Sequence, residues 1–208
     1  MKMTKRIAAM AVCGIMTATS MVGICASALD TTIGEIQIVY ELAKSVSSEE
    51  ELTVTTYGQE KTNWCWAACT EMLIKFYNPT STADQSKIVK AAKGSVVDEA
   101  GGEDDVITAM KKYLKGYSYT TIRNQNMGFN SIKSSISKGN PVYLKMSTSI
   151  GNHAVVCSGY RVSSGINELY IHDPANGGSE YWGVIDENNN ITCDNKTKGK
   201  ALVGVYAH

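Results

Sequence analysis

Cys65 has the surroundings of a nucleophile. It opens an apolar stretch that predicts a helix over residues 64–77, with Asn63 as the N-cap. In the first turn of a helix, backbone N–H groups and the helix dipole favour a negative charge, and the thiolate is the reactive form of cysteine. Cys69, one turn further on, is expected to face the core and to remain inert.

A thiolate nucleophile needs a base and a group that orients the base. His153 follows Gly151-Asn152 and opens an apolar strand, which places an imidazole at the edge of a sheet. Asp173 ends the next strand and is a natural partner for the second ring nitrogen. Because side chains alternate along a strand, His172 would point away when Asp173 points to the site, so His153 is the predicted base.

Four more residues are assigned to the same site. Gln59 lies six residues before Cys65, where its side-chain amide can donate a hydrogen bond to an oxyanion beside the Cys65 N–H. Trp64 and Trp66 flank the cysteine, and both are assigned to the substrate cleft, one able to wall it and the other to anchor the helix. Asn152, next to the predicted base, is also assigned to the cleft.

No metal or cofactor is predicted. Cys65 and Cys69 could supply half of a zinc site, but no His or Cys lies at a spacing that would complete it. The segment 186–197 begins like a calcium loop, yet it has Ile191 in place of the glycine and Thr197 in place of the bidentate glutamate. We interpret this segment as a turn between strands.

The elements that would carry these residues are helices first and strands second. Hydrophobic spacing predicts helices at 64–77, 85–92, 104–114 and 130–138. Apolar segments between turns rich in Gly, Asn and Ser predict strands at 141–146, 153–161, 169–172, 180–185 and 201–206. Helices followed by antiparallel strands predict an α+β fold. The acidic run 103–105 is interpreted as a solvated helix start.

The first 28 residues have the layout of a signal peptide. The basic segment 1–6 precedes an apolar run without charges that ends at Ala26-Ser27-Ala28, small residues that suit a signal peptidase. We therefore expect a secreted protein, at the cell surface or in the medium, with no membrane segment after cleavage. Residues 29–52 are a short leader, which is a pro-segment, a linker or a first helix, and the main domain is expected at 53–208.

Composition narrows the function classes further. The chain has 208 residues with 20 Lys+Arg and 20 Asp+Glu, so it lacks the cationic excess of a nucleic-acid-binding protein. The first 28 residues contain three of the basic residues and none of the acidic ones, so residues 29–208 would carry a net charge of −3. Four of the six cysteines remain after signal cleavage, and Cys193 could form a disulfide with Cys69 or Cys157.

These motifs resemble the papain-like cysteine peptidases. The match consists, in order over about residues 54–208, of Gln59, Cys65-Trp66-Ala67-Ala68, Gly151-Asn152-His153-Ala154-Val155-Val156 and Ile171-His172-Asp173-Pro174. Within that group the sequence is most similar to compact bacterial enzymes with a Cys/His/Asp triad, which include double-glycine leader peptidases and secreted effector proteases. It departs from the plant and lysosomal relatives, which have Asn in place of Asp173 and a long inhibitory pro-region.

The resemblance implies a two-lobed fold, with an N-terminal helical lobe, a C-terminal antiparallel sheet lobe and the site between them. It also implies a monomeric endopeptidase that acts on proteins or peptides. In it Cys65 attacks a peptide carbonyl and His153 protonates the leaving amine. Asp173 fixes the imidazole, and Gln59 steadies the oxyanion.

Two alternatives stay open on the residues alone. One is another thiol-dependent acyl transfer, such as isopeptidase, amidase or deamidase activity; the other is a non-catalytic binding module on the same fold.

Overall fold

The computed structural model describes residues 48–194 and 196–208, which form helices and an antiparallel β-sheet. The predicted signal peptide and residues 29–47 of the predicted leader lie outside these residues. The helices are α1 (Cys65–Tyr77), α2 (Gln85–Lys93), α3 (Glu103–Tyr113) and α4 (Phe129–Ile136). Each begins and ends within two residues of its predicted bounds. In the part of the chain that the structure describes, none of them is long and apolar enough to cross a membrane.

The helix ends follow from local side-chain chemistry, with one correction. Asp84 accepts a hydrogen bond from a backbone N–H of the first turn of α2 at 2.9 Å, and Gly94 ends that helix in the left-handed region (φ 83°). Helix α1 has no side-chain cap, and the residue before it is Trp64. Asn63 was predicted wrongly as the cap, because its side-chain amide donates instead to the carbonyl of Asp98, at 3.0 Å.

The strands pair antiparallel and most of them close into a barrel. They are β1 (Ser48–Glu51), β2 (Tyr119–Arg123), β3 (Val142–Thr148), β4 (Gly151–Ser163), β5 (Ile166–Asp173), β6 (Ser179–Ile185), β7 (Asn190–Cys193) and β8 (Lys196–Ala207). Each strand from β3 to β8 pairs with the next, and β8 pairs back onto β3. We call this closed ring of six strands the barrel. β1 extends it along β4, and β2 extends it along β8.

Three strands are absent from the sequence prediction. β1 reads Ser-Glu-Glu-Glu, β2 contains two threonines and an arginine, and β7 is only four residues long, so none shows a clear apolar alternation. β1 forms because β4 offers it open backbone groups: Glu51 lies opposite Gly159, and the Leu52 N–H donates to the Ser158 carbonyl at 2.8 Å. The end of the predicted leader is therefore part of the sheet, and helices do not simply precede strands.

Two hydrophobic clusters lie on opposite faces of β3. Val142, Leu144 and Met146 face the barrel interior, which α4 covers with Ile132 and Ile136. Tyr143 points the other way, into the cluster that α1, α2 and α3 form against the outer face of the barrel. The period of two along β3 therefore separates the two clusters and leaves the odd-numbered side chains next to the helices.

The four described cysteines are free thiols, so the disulfide considered for Cys193 is not present. Cys69 and Cys157 are fully buried in different hydrophobic clusters, and Cys193 is half-buried on β7. Burial raises the pKa of both the Cys69 and the Cys157 thiol. Both are packing residues, as the sequence predicts for Cys69.

Two acidic segments have partners within the domain. The connection from β6 to β7 is a turn in which Asp186 accepts hydrogen bonds from two backbone N–H groups, each at 2.8 Å. The acidic start of α3 is solvated only in part: Asp104 is exposed as predicted, but Glu103 lies 2.9 Å from Arg123, and Asp105 lies 2.8 Å from Lys93. Across residues 48–194 and 196–208, no cluster of three or more His, Cys, Asp or Glu is arranged to hold a metal ion.

Candidate active site

His153 lies between Cys65 and Asp173. Its Nε2 is 2.7 Å from Oδ1 of Asp173, at the end of β5. Cys65, at the first position of α1, lines the same cavity as this ring, and its interaction with the ring contributes to the raised pKa of His153. The Ala175 N–H also donates to Oδ1 of Asp173, at 2.9 Å, and holds the carboxylate in place. The structure thus brings together the three residues predicted as nucleophile, base and orienting group.

The partners of His153 set its charge. Burial disfavours the imidazolium, but interactions with Asp173 and Cys65 outweigh it and raise the pKa of His153 to about 9. Burial also opposes the Asp173 carboxylate, yet hydrogen bonds from His153 and the Ala175 N–H lower the pKa of Asp173 below its ordinary value. The ring is therefore protonated at neutral pH and can pair with a thiolate.

A cavity of about 210 Å³ opens beside Cys65 and His153. Its walls come from α1, the segment before α3, β3 and β4; the lining residues are Cys65, Trp66, Ala100, Gly101, Gly102, Tyr143, Lys145, Asn152, His153 and Ala154. Trp66 and Asn152 thus lie where the sequence predicts a cleft. Gly101 packs flat on the Trp66 ring, where a Cβ would come within 2.3 Å, so this wall requires glycine.

Trp64, which was also assigned to the cleft, is absent from the lining of this cavity. It is fully buried, and its indole N–H donates to the Val97 carbonyl at 2.8 Å. The indole N–H of Trp66 donates to the Glu99 carbonyl at 3.0 Å. Both tryptophans therefore fasten the same loop to the start of α1, and that loop leads directly into the cavity wall at 100–102.

Gln59 is fixed in the loop that precedes α1. Its backbone N–H donates to the Pro174 carbonyl at 2.9 Å, which ties this loop to the residue after Asp173. Its side-chain Nε2 donates to the carbonyls of Lys61 at 2.9 Å and Thr62 at 2.8 Å. The amide therefore lies close to the start of the helix, but in this structure it is directed at carbonyls of its own loop.

His172 points away from the cavity, as strand alternation predicts, into a chain of hydroxyl groups. Its Nδ1 is 2.7 Å from the Thr56 hydroxyl, which donates in turn to Glu180. Thr56 must then accept from Nδ1–H, so Nε2 accepts from the Ser158 hydroxyl at 2.6 Å. Burial lowers the pKa of His172 despite the nearby carboxylate of Glu180. This ring is neutral and joins the segment before Gln59 to β4 and β6.

Sequence reasoning missed the part of the site that β3 supplies. Tyr143 and Lys145 both line the cavity, and Lys145 also lies 3.7 Å from Glu103 at the start of α3. The apolar residues at 142, 144 and 146 alternate with these two, which was the available signal that they share the other face. The pair Gly101-Gly102 was a second signal, because adjacent glycines permit close packing.

The solved structures that are similar to this one include three proteins of the following kinds. Digestive procathepsin L 3 of the Tenebrio molitor larval midgut has a TM-score of 0.53 at 11% identity, over 76% of this chain and 67% of that chain. This likeness concerns the fold alone. A double glycine motif protease from an AMS/PCAT transporter, solved with its leader peptide, has a TM-score of 0.46 at 17% identity, over 76% of this chain and 93% of that one. The peptidase domain of Streptococcus ComA has a TM-score of 0.46 at 14% identity, over 73% and 96%. No curated protein matches the sequence.

The family comparison covers the whole site. Residues 51–199 match the model of the Peptidase_C39 like family. This stretch contains Cys65 and its helix, the strand that begins before His153, and Asp173. It also makes up well over half of the chain. The chain therefore belongs to the Peptidase_C39 like family and is a cysteine-type peptidase.

Proposed function

We propose that this chain is a secreted cysteine endopeptidase that cuts peptide bonds with Cys65, His153 and Asp173. The observation that carries the proposal is that His153, 2.7 Å from Asp173, lines the same cavity as Cys65, which lies at the start of a helix. The raised pKa of His153 supports a thiolate–imidazolium pair, which makes cysteine a strong nucleophile at neutral pH.

In the proposed reaction, the Cys65 thiolate attacks the carbonyl carbon of the scissile bond, and the carbonyl oxygen becomes an oxyanion. The His153 imidazolium gives its proton to the leaving amine as the tetrahedral intermediate collapses to a thioester. Water then attacks the thioester carbonyl while the neutral His153 takes a proton from the water. The thioester breaks, which restores the Cys65 thiolate and releases the acid product. Asp173 keeps Nε2 protonated and the ring aimed at the sulfur throughout.

We assign the oxyanion to two donors, the Cys65 N–H and the Gln59 side chain. The first N–H groups of a helix have no carbonyl partner within that helix, so the Cys65 N–H is open to substrate. Gln59 already lies at this helix start, and it would exchange one of its loop carbonyls for the oxyanion when substrate binds.

We further propose that the helices and the barrel act as the two lobes of a papain-like cleft. Two features support this arrangement. The hydrophobic clusters of the helices and of the barrel interior are separate. The cavity takes its walls from α1 and the segment before α3 on one side, and from β3 and β4 on the other.

A peptide library tests the proposed activity. The protein, expressed from its full-length sequence, is incubated with the library, and mass spectrometry separates cut backbones from altered side chains. We expect backbone cuts from the wild type and from the matched control Cys193→Ala, and none from Cys65→Ala. Altered side chains without cuts would support another acyl transfer. Equal cutting by Cys65→Ala would remove this cysteine from the mechanism.

Secretion is a separate part of the proposal and rests on residues 1–28. Their basic start, apolar run and Ala26-Ser27-Ala28 end support cleavage after Ala28. Intact mass measurement of the protein from the culture medium tests this. We expect a first residue of Leu29, whereas a full-length chain that stays with the cells would contradict export.

A further inference from the structure

One cation in the lining of the cavity beside Cys65 has no carboxylate at hydrogen-bonding distance. Its ionisable lining residues are Cys65, His153, Tyr143 and Lys145, and none of the lining residues is a carboxylate. The positive charge of the His153 imidazolium is matched by the Asp173 carboxylate, whose Oδ1 lies 2.7 Å from Nε2. Tyr143 is neutral because burial raises the pKa of its phenol. Lys145 is therefore the one cation of the lining without a carboxylate at hydrogen-bonding distance.

The nearest anion to Lys145 is shared with a second cation. Glu103 holds Arg123 through one carboxylate oxygen at 2.9 Å, and its other oxygen is 3.7 Å from the Lys145 ammonium. The longer distance exceeds that of an ordinary hydrogen bond. The Lys145 side chain is 27% exposed, so its ammonium donors remain available to a molecule in the cavity.

The other charges around the cavity do not cancel this one. Lys93, over the Trp66 ring, is paired with Asp105 at 2.8 Å. The carboxylate of Asp173 is hydrogen-bonded to the His153 ring. Glu99, just before the cavity wall, has an exposed side chain and lies outside the lining. Lys145 is therefore the cation of the lining that is open to an anionic group of a substrate.

We propose that the cavity recognises a carboxylate of the peptide substrate through Lys145. This inference rests on the proposed peptidase function and adds its substrate class: peptides with Asp, Glu or a free chain end next to the scissile bond. Lys145 lies opposite Ala154 in the β3–β4 ladder, one residue from His153, so the bound carboxylate lies close to the reacting carbonyl. An ammonium–carboxylate contact at this wall is a charge-assisted hydrogen bond, stronger than a neutral one.

Matched peptides test the inference. Two peptides that differ only as Glu and Gln are compared at each position around a cleaved bond. We expect kcat/KM to favour Glu by about 10-fold at one position, the range of a hydrogen bond to a charged group. Lys145→Met abolishes that preference. Lys138→Met, which removes an exposed lysine outside the cavity lining, keeps it.

Two further arms sharpen the test. Peptides with a free or an amidated C-terminus distinguish a chain-end carboxylate from a side-chain carboxylate, and a preference for either acid form supports the inference. Glu103→Gln is expected to enlarge the preference, because Lys145 then has no competing carboxylate. Equal cleavage of Glu and Gln peptides, together with equal cleavage of acid and amide forms, would overturn it.

Binding separates this inference from the proposed function. The same peptides are titrated onto Cys65→Ala, which cannot cut them, and the dissociation constants are compared. Tighter binding of the acid forms, lost in Cys65→Ala/Lys145→Met, supports carboxylate recognition even if no peptide bond is cut. Equal affinities for the acid and neutral forms refute it, whatever the activity of the wild type.

Discussion

His153 and His172 lie on neighbouring strands of the barrel, and each ring is hydrogen-bonded, yet the two carry different charges. His153 lies between a carboxylate and a thiol, and these partners raise its pKa to about 9. His172 lies between two hydroxyl groups with only 2% of its side chain exposed, and burial lowers its pKa. The carboxylate bonded directly to His153 outweighs the burial of that ring, whereas at His172 burial outweighs the carboxylate of Glu180, which lies 3.4 Å from Nδ1.

The difference separates two uses of one side chain. In the proposed reaction, a cation next to Cys65 stabilises a thiolate and holds a proton for the leaving amine. A neutral ring accepts from Ser158 and donates to Thr56, so it fastens three segments without any change of charge. Strand alternation alone puts the two functions on opposite sides of β5, because Asp173 and His172 are adjacent.

The strongest test of the contrast replaces the cationic ring. We expect His153→Ala to lower kcat by about 10³-fold, because both the ion pair and the proton donor are lost. Steady-state kinetics on a cleaved library peptide measure this. Circular dichroism should show that the variant is folded. A loss of less than tenfold would mean that His153 is not the base.

The next test removes the carboxylate that is hydrogen-bonded to His153. In Asp173→Asn we expect kcat to fall by about 10²-fold while KM changes little, because the substitution misorients the His153 ring but leaves the substrate-binding contacts in place. Initial rates over a range of peptide concentrations separate the two constants. Wild-type kcat would remove Asp173 from the site, and a pure KM effect would make it a binding residue.

The pH profile sharpens the comparison. We expect kcat/KM to fall about tenfold per pH unit above about 9, as the His153 imidazolium deprotonates. The same raised pKa stabilises the fold fully below the unfolded value of about 6.5, and this contribution is lost as the pH rises through about 9. In Asp173→Asn the alkaline limb should move to lower pH. A limb that stays in place would show that another group controls it.

The smallest effect on rate is expected at the neutral ring. His172→Phe leaves the Ser158 hydroxyl buried without a partner, so we expect a stability loss of about 1–3 kcal/mol in urea unfolding. The kcat of the folded protein should stay within about twofold, because the ring is outside the cavity. Adding Ser158→Ala should recover part of the stability. A hundredfold fall in kcat would instead give His172 a part in the reaction.

Local signals made the helices and the central part of the site predictable. The start of α1, the strand after His153 and the position of Asp173 can each be read within about ten residues of sequence. The alternation that separates His172 from Asp173 is equally local. The sequence therefore indicated which residues meet, although they come from elements far apart in the chain.

Non-local pairing decided what the sequence did not reveal. β1 and β2 carry polar side chains and become strands only because β4 and β8 offer them open edges. Closure of the barrel depends on β8 returning to β3, which no local motif encodes. Trp64 was assigned to the cleft because it is next to Cys65, but its indole is buried in the core, where the ring N–H donates to the Val97 carbonyl.

The closure of the barrel also determines when the site can exist. β8, the last strand in chain order, pairs with β3, whose Tyr143 and Lys145 line the cavity. Until β8 is added, β3 has one edge without a partner, and the wall opposite Cys65 lacks its support. We therefore expect α1, which local contacts stabilise, to form before the completed site, which needs this long-range pairing.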